Sequence, residues 1–560
     1  VKKVFSFMFL ALTVFVLLTA CGGGGGGGTG GTTPPPSSGG GNNATITGTV
    51  SGTTVKAFDL SGTEVASNTA TGNPKTFTLN VPANGSYKFY LIENEGTASE
   101  RVYALYQGTT NVFNIASAVT IDLGFVDTST GKAVPTNNPL NISGVTSGGE
   151  NTTFPPSLIK PGLLLFSATS NPSGGGDIAG DIAIDSTYMY VTGCDESPGP
   201  GNCQWRIEKR NLSDGALVVG FGTGGVVTNN PSGGRDRAGD IAIDSTYMYV
   251  AGTDQSPGNN QWRIEKRLLS TGALDASFGT GGVVTNNPSG GDDWTYFIAI
   301  DSTYMYVAGT DESPGAGNEQ WRIEKRLLST GALDASFGTG GVVMSNPSGN
   351  GDYAGFIAID STYMYVTGCD ESPGPGNCQW RIEKRNLSDG ALVVGFGTGG
   401  VVTNNPSGRT DWAGFIAIDS TYMYVTGYDE SPGAGNEQWR IEKRNLSDGA
   451  LVVGFGTGGV VTNNPSGGGD IAGFIAIDST YMYVTGYDES LGNAQWRIEK
   501  RNLSDGALAA GFGTGGVVTN NPSAGDDRVY GIAIDSTSMY VVGYDSSPGN
   551  EQWRIEKMIK

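Results

Sequence analysis

The sequence predicts an all-β protein whose larger part is a seven-bladed β-propeller, and three observations carry that prediction. A unit of 57 or 59 residues recurs between residues 161 and 560, and "IAIDST" marks it seven times, with its Asp at Asp185, Asp244, Asp301, Asp360, Asp419, Asp478 and Asp535. Each unit divides into four short extended pieces with turn residues between them, the layout of a four-stranded blade. Helix-period patterns are almost absent after residue 20, and the 91 glycines recur at fixed places between apolar, β-branched and aromatic runs, which argues against disorder.

Residues 1–20 carry Lys2 and Lys3, then an apolar run from Val4 to Leu18, the plan of a secretory signal. The ending Leu18-Thr19-Ala20-Cys21 resembles the lipobox of bacterial lipoproteins. The resemblance implies cleavage before Cys21, acylation of that cysteine and stable anchoring without a spanning helix. A simple secreted protein or an uncleaved anchor is the alternative. Gly22 rather than Asp follows Cys21, which in that family favours the outer membrane or cell surface. Residues 21–43 are rich in Gly, Pro and Ser and read as a tether that spans roughly 25 Å as a flexible coil.

Residues 44–128 alternate as strands do, in "ATITGTV", "TTVKAFD", "KTFTLNV", "SYKFYLI" and "AVTIDLGFVD". The positions Gly48-Thr49-Val50, Val55-Lys56-Ala57, Gly62, Phe77-Thr78-Leu79, Val81-Pro82 and Gly85-Ser86-Tyr87 resemble carboxypeptidase-regulatory-like or immunoglobulin-like sandwiches. That resemblance implies a small β-sandwich acting as a spacer or adhesion module. Residues 129–160, rich in Pro, Asn, Gly and Ser, are expected to be a linker, and 161–560 the propeller.

Within the unit, "FIAIDS" is the first strand and "YMYVTGYD" the second, joined by a tight Ser-Thr turn. "QWRIEKR" is the third, where Trp205 and Ile207 point to one face and Arg206 and Glu208 to the other. "FGTGGVVTNN" is the fourth. The stretch 267–284, "RLLSTGALDASFGTGGVV", resembles the delta-sixty repeat of bacterial surface proteins through Arg267, Leu268, Gly272, Leu274, Asp275, Phe278, Gly279 and Gly282. The resemblance implies a propeller-like repeat protein without a general catalytic assignment. Other copies depart from it, as where "GALVVGFG" puts Val in place of the Asp. The last unit stops at "QWRIEKMIK" with three strands, while 163–177 aligns with a fourth strand running into a first. Residues 163–170 are therefore expected to pair with 552–559 and close the ring.

The composition excludes whole classes of chemistry. With no histidine there is no Ser-His-Asp or Cys-His catalysis, and no His-ligated zinc. A formal charge of −21 makes nucleic acid an unsuitable partner. Of the five cysteines, four fall in two copies of "GCDESPGPGNCQW", as Cys194/Cys203 and Cys369/Cys378, while other copies lack both. Paired gain and loss predicts two disulfides, with a metal site as the alternative; export permits disulfides.

Two sets of positions are candidates for ligand contact at the channel mouth. Asp177, Asp236, Asp293, Asp352, Asp411, Asp470 and Asp527 precede the first strand of each unit. A ring of carboxylates there could hold Ca²⁺, the one cofactor considered, or each Asp could cap its own turn. The residue after each varies while the rest of the unit hardly changes: Ile178, Arg237, Trp294, Tyr353, Trp412, Ile471 and Arg528. Aromatic and Arg side chains beside carboxylates suit a glycan or peptide ligand, and drift at an exposed loop is the alternative. No catalytic residue stands out. The expectation is a non-enzymatic envelope lipoprotein whose propeller binds or scaffolds a protein or glycan, against two alternatives: a propeller-based polysaccharide hydrolase or lyase, and a purely structural surface protein.

Overall fold

A computed structural model describes residues 43–52, 54–95, 100–128, 132–151, 154–158 and 160–560. The expected signal peptide, Cys21 and nearly all of the tether lie outside the described residues.

The repeated sequence folds as repeated four-stranded antiparallel sheets, a β-propeller-like array. In unit 1 the strands Ile178–Ile184, Tyr188–Gly199, Asn202–Asn211 and Val226–Asn229 pair in chain order. Units 2 to 6 repeat this arrangement, ending with Ile471–Ile477, Tyr481–Asp488, Gln495–Asn502 and Val517–Asn520. Unit 7 contributes Arg528–Ile534, Ser538–Asp545 and Gln552–Ile559, and its fourth strand is Leu164–Ser170 from the front of the array. Ala168 lies opposite Ile555 and Ser170 opposite Trp553 in antiparallel register, the pairing expected from the sequence. The first strand of each unit packs on the first strand of the next, and that of unit 7 packs on that of unit 1.

The hairpin joining the first two strands is capped by the Asp of "IDST". Asp185 Oδ1 accepts the amides of Thr187 and Tyr188, both at 2.7 Å, and Oδ2 accepts the Tyr190 hydroxyl at 2.9 Å. Adjacent units are joined by the Trp of "QWRIEK". The indole N–H of Trp205 donates to Thr253 O of unit 2 at 2.9 Å, and every unit repeats the bond. The last of the series runs from Trp553 to Cys194 O of unit 1 at 2.9 Å. These indoles are at most 1% exposed, and burying each contributes roughly 2–3 kcal/mol. The close approach requires glycine at the facing position: a Cβ on Gly193 would collide with Ile178 O and the Trp553 ring.

The opposite face of the third strand carries buried charge. Glu208 is 0% exposed and lies between Arg206 and Arg210, with Nη2–Oε1 2.7 Å and Nε–Oε2 2.6 Å. The residues of the delta-sixty resemblance are structural: Arg267 holds Glu265 and donates to Gly272 O, Phe278 is fully buried, and Gly279 and Gly282 adopt positive φ. In units 2 and 3 Lys266 and Lys325 pair with Asp275 and Asp334 at 2.9 Å. In units 1, 4 and 5, where Val replaces that Asp, Lys209, Lys384 and Lys443 donate instead to a leucine carbonyl of the next unit. Lys557 makes the same bond across the junction, to Leu212 O at 2.8 Å.

Ahead of the array, strands Asn43–Val50, Lys75–Pro82 and Thr120–Asp127 form one sheet. Strands Thr54–Asp59, Gly85–Glu93 and Phe113–Ile115 belong to a second, and side chains of both meet in one core that includes Ile46, Phe77, Leu123, Phe89 and Phe113. The stretch 129–160, expected as a linker, adds Val134–Pro135 to the first sheet and Val145–Ser147 to the second. Arg101–Ala104 of the second sheet meets Leu164–Ser170 in parallel, Leu164 facing Arg101, so this sheet continues into unit 7.

Candidate functional site

The inner strand of every unit ends in a constant "IAI" half and begins in a variable half. The variable halves gather at one mouth of the array around two adjoining chambers of about 520 Å³ and about 490 Å³. Ile178, Arg237, Trp294 and Tyr353 line the first, and Trp412, Ile471 and Arg528 the second. The structure thus brings together the whole variable set from seven units.

The seven aspartates expected at the mouth do not reach it as ligand groups. All are 0% exposed and cap turns. Asp177 Oδ1 accepts the Ser173 hydroxyl at 2.7 Å and the Glu196 amide at 3.0 Å, and Oδ2 accepts the Ser173 amide at 3.0 Å. The turns before the other units repeat the pattern, as at Asp236, Asp293, Asp352, Asp411, Asp470 and Asp527. Burial raises Asp177, Asp293, Asp352, Asp411, Asp470 and Asp527 above the ordinary carboxylate range despite these bonds. These carboxylates thus turn back onto their own loops, as the capping alternative has it.

Both disulfides form, Cys194–Cys203 and Cys369–Cys378, with Cα separations of 5.6 and 5.4 Å. They brace the loop between second and third strands directly behind the site. Cys369 lies opposite Tyr353 in register, and Tyr353 and Trp412 pack against that bridge.

Three residues beyond each variable position comes a second variable layer that the sequence reading missed: Asp181, Asp240, Phe297, Phe356, Phe415, Phe474 and Gly531. The four phenylalanines stack across the axis, with centroids 3.4 Å apart for Phe297–Phe356, 4.1 Å for Phe356–Phe415 and 3.8 Å for Phe415–Phe474. Asp181 and Asp240 face them as a hydrogen-bonded pair in the first chamber. Burial, then the charge of Asp240, raises Asp181 well above the ordinary range, and burial raises Asp240 as well. The Ile298 amide donates to Asp240 Oδ2 at 2.7 Å. A further variable position on the second strand puts Tyr428 and Tyr487 into the second chamber where units 1 and 4 carry cysteine. The signal was available: these are also places where near-identical copies differ.

Charges are unevenly placed. Burial, then Arg235, lowers Arg237 to about 9 in the first chamber. Glu430, Glu437 and Glu489 line the second, with Arg528 its only lining cation among the described residues.

No protein-family model matches the chain, and no curated protein matches it. Among solved structures, Drosophila Semaphorin 2a is 8% identical over 70% of this chain and 74% of its own, with a TM-score of 0.40. Sqt1 from Chaetomium thermophilum is 10% identical over 70% of this chain and 100% of its own, with a TM-score of 0.36. An acylaminoacyl peptidase in complex with Z-Gly-Gly-Phe-chloromethyl ketone is 8% identical, and the chain spans 52% of it at a TM-score of 0.36. The propeller-like assignment rests on the repeated sheets and their cyclic packing rather than on these distant likenesses. The two disulfides fit an extracellular or periplasmic protein, and no helix of the described residues is long and apolar enough to cross a membrane.

Proposed function

We propose that the chain is a binding module of the cell envelope: a lipid anchor at Cys21, a tether, a small β-sandwich, and a seven-bladed β-propeller of delta-sixty-type repeats whose mouth takes a protein or glycan. One observation carries the binding reading. A set of positions that differ among otherwise near-identical units lines the two chambers, whereas the Trp that bonds each unit to the next is constant. Exposed drift does not account for Tyr353 and Arg237, which are 4% and 8% exposed. Aromatic walls with a few polar groups suit a ligand site.

The experiment is a screen of the full chain on glycan and peptide arrays, repeated with the Trp294→Ala/Trp412→Ala double variant. Binding that falls about tenfold or more in the variant supports the site; binding unchanged in the variant overturns it.

The hydrolase alternative has one supporting observation, the Asp181–Asp240 pair. Both glycosidase stereochemistries need carboxyls about 5 Å apart or more, and this pair is in hydrogen-bond contact. Its geometry suits structural sharing of one proton across the channel better than sugar chemistry.

A further inference from the structure

We propose that the second chamber binds a lysine- or arginine-bearing peptide segment of a protein partner. The proposal rests on the binding reading above and gives that site its ligand class.

The walls come first. Trp412, Tyr428, Phe415 and Tyr487 line the chamber, so several aromatic faces look into one space. An aromatic face attracts a cation, and more strongly where water is excluded. The polar groups between those faces are mostly acids: Glu430 and Glu437 from the loop of unit 5, and Glu489 from the loop of unit 6. Glu489 accepts the Gly469 amide at 3.2 Å. Glu437 accepts no side-chain hydrogen bond from any described residue. Burial and then the charge of Glu437 raise Glu430, against a smaller lowering by the Gly435 amide and the charge of Arg409. Arg409 lies near Glu430 but is exposed and outside the lining.

The chamber already holds one guanidinium. Arg528 sits 4.7 Å from the centroid of the Tyr487 ring and pairs with Asp526 at 3.1 Å. An aromatic face with a carboxylate beside it therefore retains a cation at one end. The other end offers the same groups, Trp412 and Tyr428 with Glu430 and Glu437, and among the described residues no cation lines it. A basic side chain would neutralise the two glutamates and stack on the rings. An acidic ligand would add to the repulsion, and a neutral saccharide could hydrogen-bond the carboxylates through its hydroxyls but would leave their charge unpaired. A volume of about 490 Å³ takes more than one side chain, which favours a peptide segment over a lone amine. The net charge of −21 steers basic partners to the surface.

The test uses the full chain on an array of tripeptides covering the standard residues, with Nε-acetyl-lysine replacing lysine in a matched set, and a glycan array in parallel. Binding is expected to concentrate in tripeptides with Lys or Arg and to fall about tenfold on acetylation. Glu437→Gln and Trp412→Ala should each weaken it, and Glu64→Gln, on a strand of the N-terminal sheets, should leave it unchanged; circular dichroism confirms that each variant folds. Absence of a basic preference, or a preference that survives both Glu437→Gln and Glu430→Gln, overturns the proposal. Glycan binding lost in Trp412→Ala without basic-peptide binding overturns this inference while the binding reading stands. Silence on both arrays overturns both.

Discussion

At the residue scale, the least replaceable side chains are the buried glutamates of "QWRIEK". Glu383 is fully buried with Arg381 and Arg385 at 2.7 Å each. Burial alone would raise its carboxyl, but the two guanidinium charges and their hydrogen bonds outweigh burial and lower it. Glu383→Gln leaves two buried arginines short of charge and should cost about 3–5 kcal/mol. The linked pH dependence has a definite sign. A carboxyl lowered in the folded state stabilises above its unfolded value, and that contribution is lost as pH falls through the folded value. The difference in melting temperature between wild type and Glu383→Gln should therefore be full at neutral pH and shrink on acidification below the ordinary glutamate range; a difference that grows on acidification would refute the pairing. Unit 7 supplies an internal control. Met558 replaces the second arginine, and Glu556 Oε2 is buried without a partner. Glu556→Gln should be distinctly milder than Glu383→Gln in the same denaturation experiment.

At the element scale, two devices secure the variable strands. The Cys369–Cys378 bridge spans nine positions and supports Tyr353 and Trp412 from behind. Cys369→Ser/Cys378→Ser should lower stability by about 2.5 kcal/mol on the loop-entropy account, read by chemical denaturation, and should weaken ligand binding as well. The second device is the strand Leu164–Ser170, which buries Leu164 and Phe166 against unit 7. Deleting 161–170 exposes the edge of Gln552–Ile559 and removes both anchors, so the melting temperature should drop markedly; an unchanged value would refute closure by this strand. Strand order, the closing pair and the indole-bearing third strand were legible because each repeats seven times or completes a repeat. The second variable layer was not. A bulge lies between Thr295 and Phe297, so strict alternation along the strand does not predict that Phe297 reaches the axis. The capping role of Asp177 was legible only as one alternative, since Ser-x-x-x-Asp spacing does not say whether the carboxylate turns back on its own loop. Strands at 134–135 and 145–147 were hidden by turn-rich composition: two or three residues are too few to show a period.

At the scale of the whole molecule, the N-terminal sheets and the array share a core. Phe58, Tyr90, Ile92 and Val102 pack with Leu158 and Leu163, and Ile559 at the end of unit 7 packs against them. Arg101 donates to Asn520 of unit 6 at 2.8 Å, and Asn520 in turn donates to the buried Glu556. The strand Leu164–Ser170 is thus held on one side by unit 7 and on the other by Arg101–Ala104. This bracing falls beside the one glutamate of the seven that lacks its second arginine. Removing residues 43–151 would uncover the apolar cluster around Leu163 and leave the closing strand with a free edge. The shortened chain should therefore melt earlier, and hydrogen exchange should show the earliest loss of protection in Leu164–Ser170 and Gln552–Ile559 rather than in units 2 to 5. Uniform protection across all seven units, with an unchanged melting temperature, would mean that the array closes without help and that the N-terminal sheets serve only as a spacer.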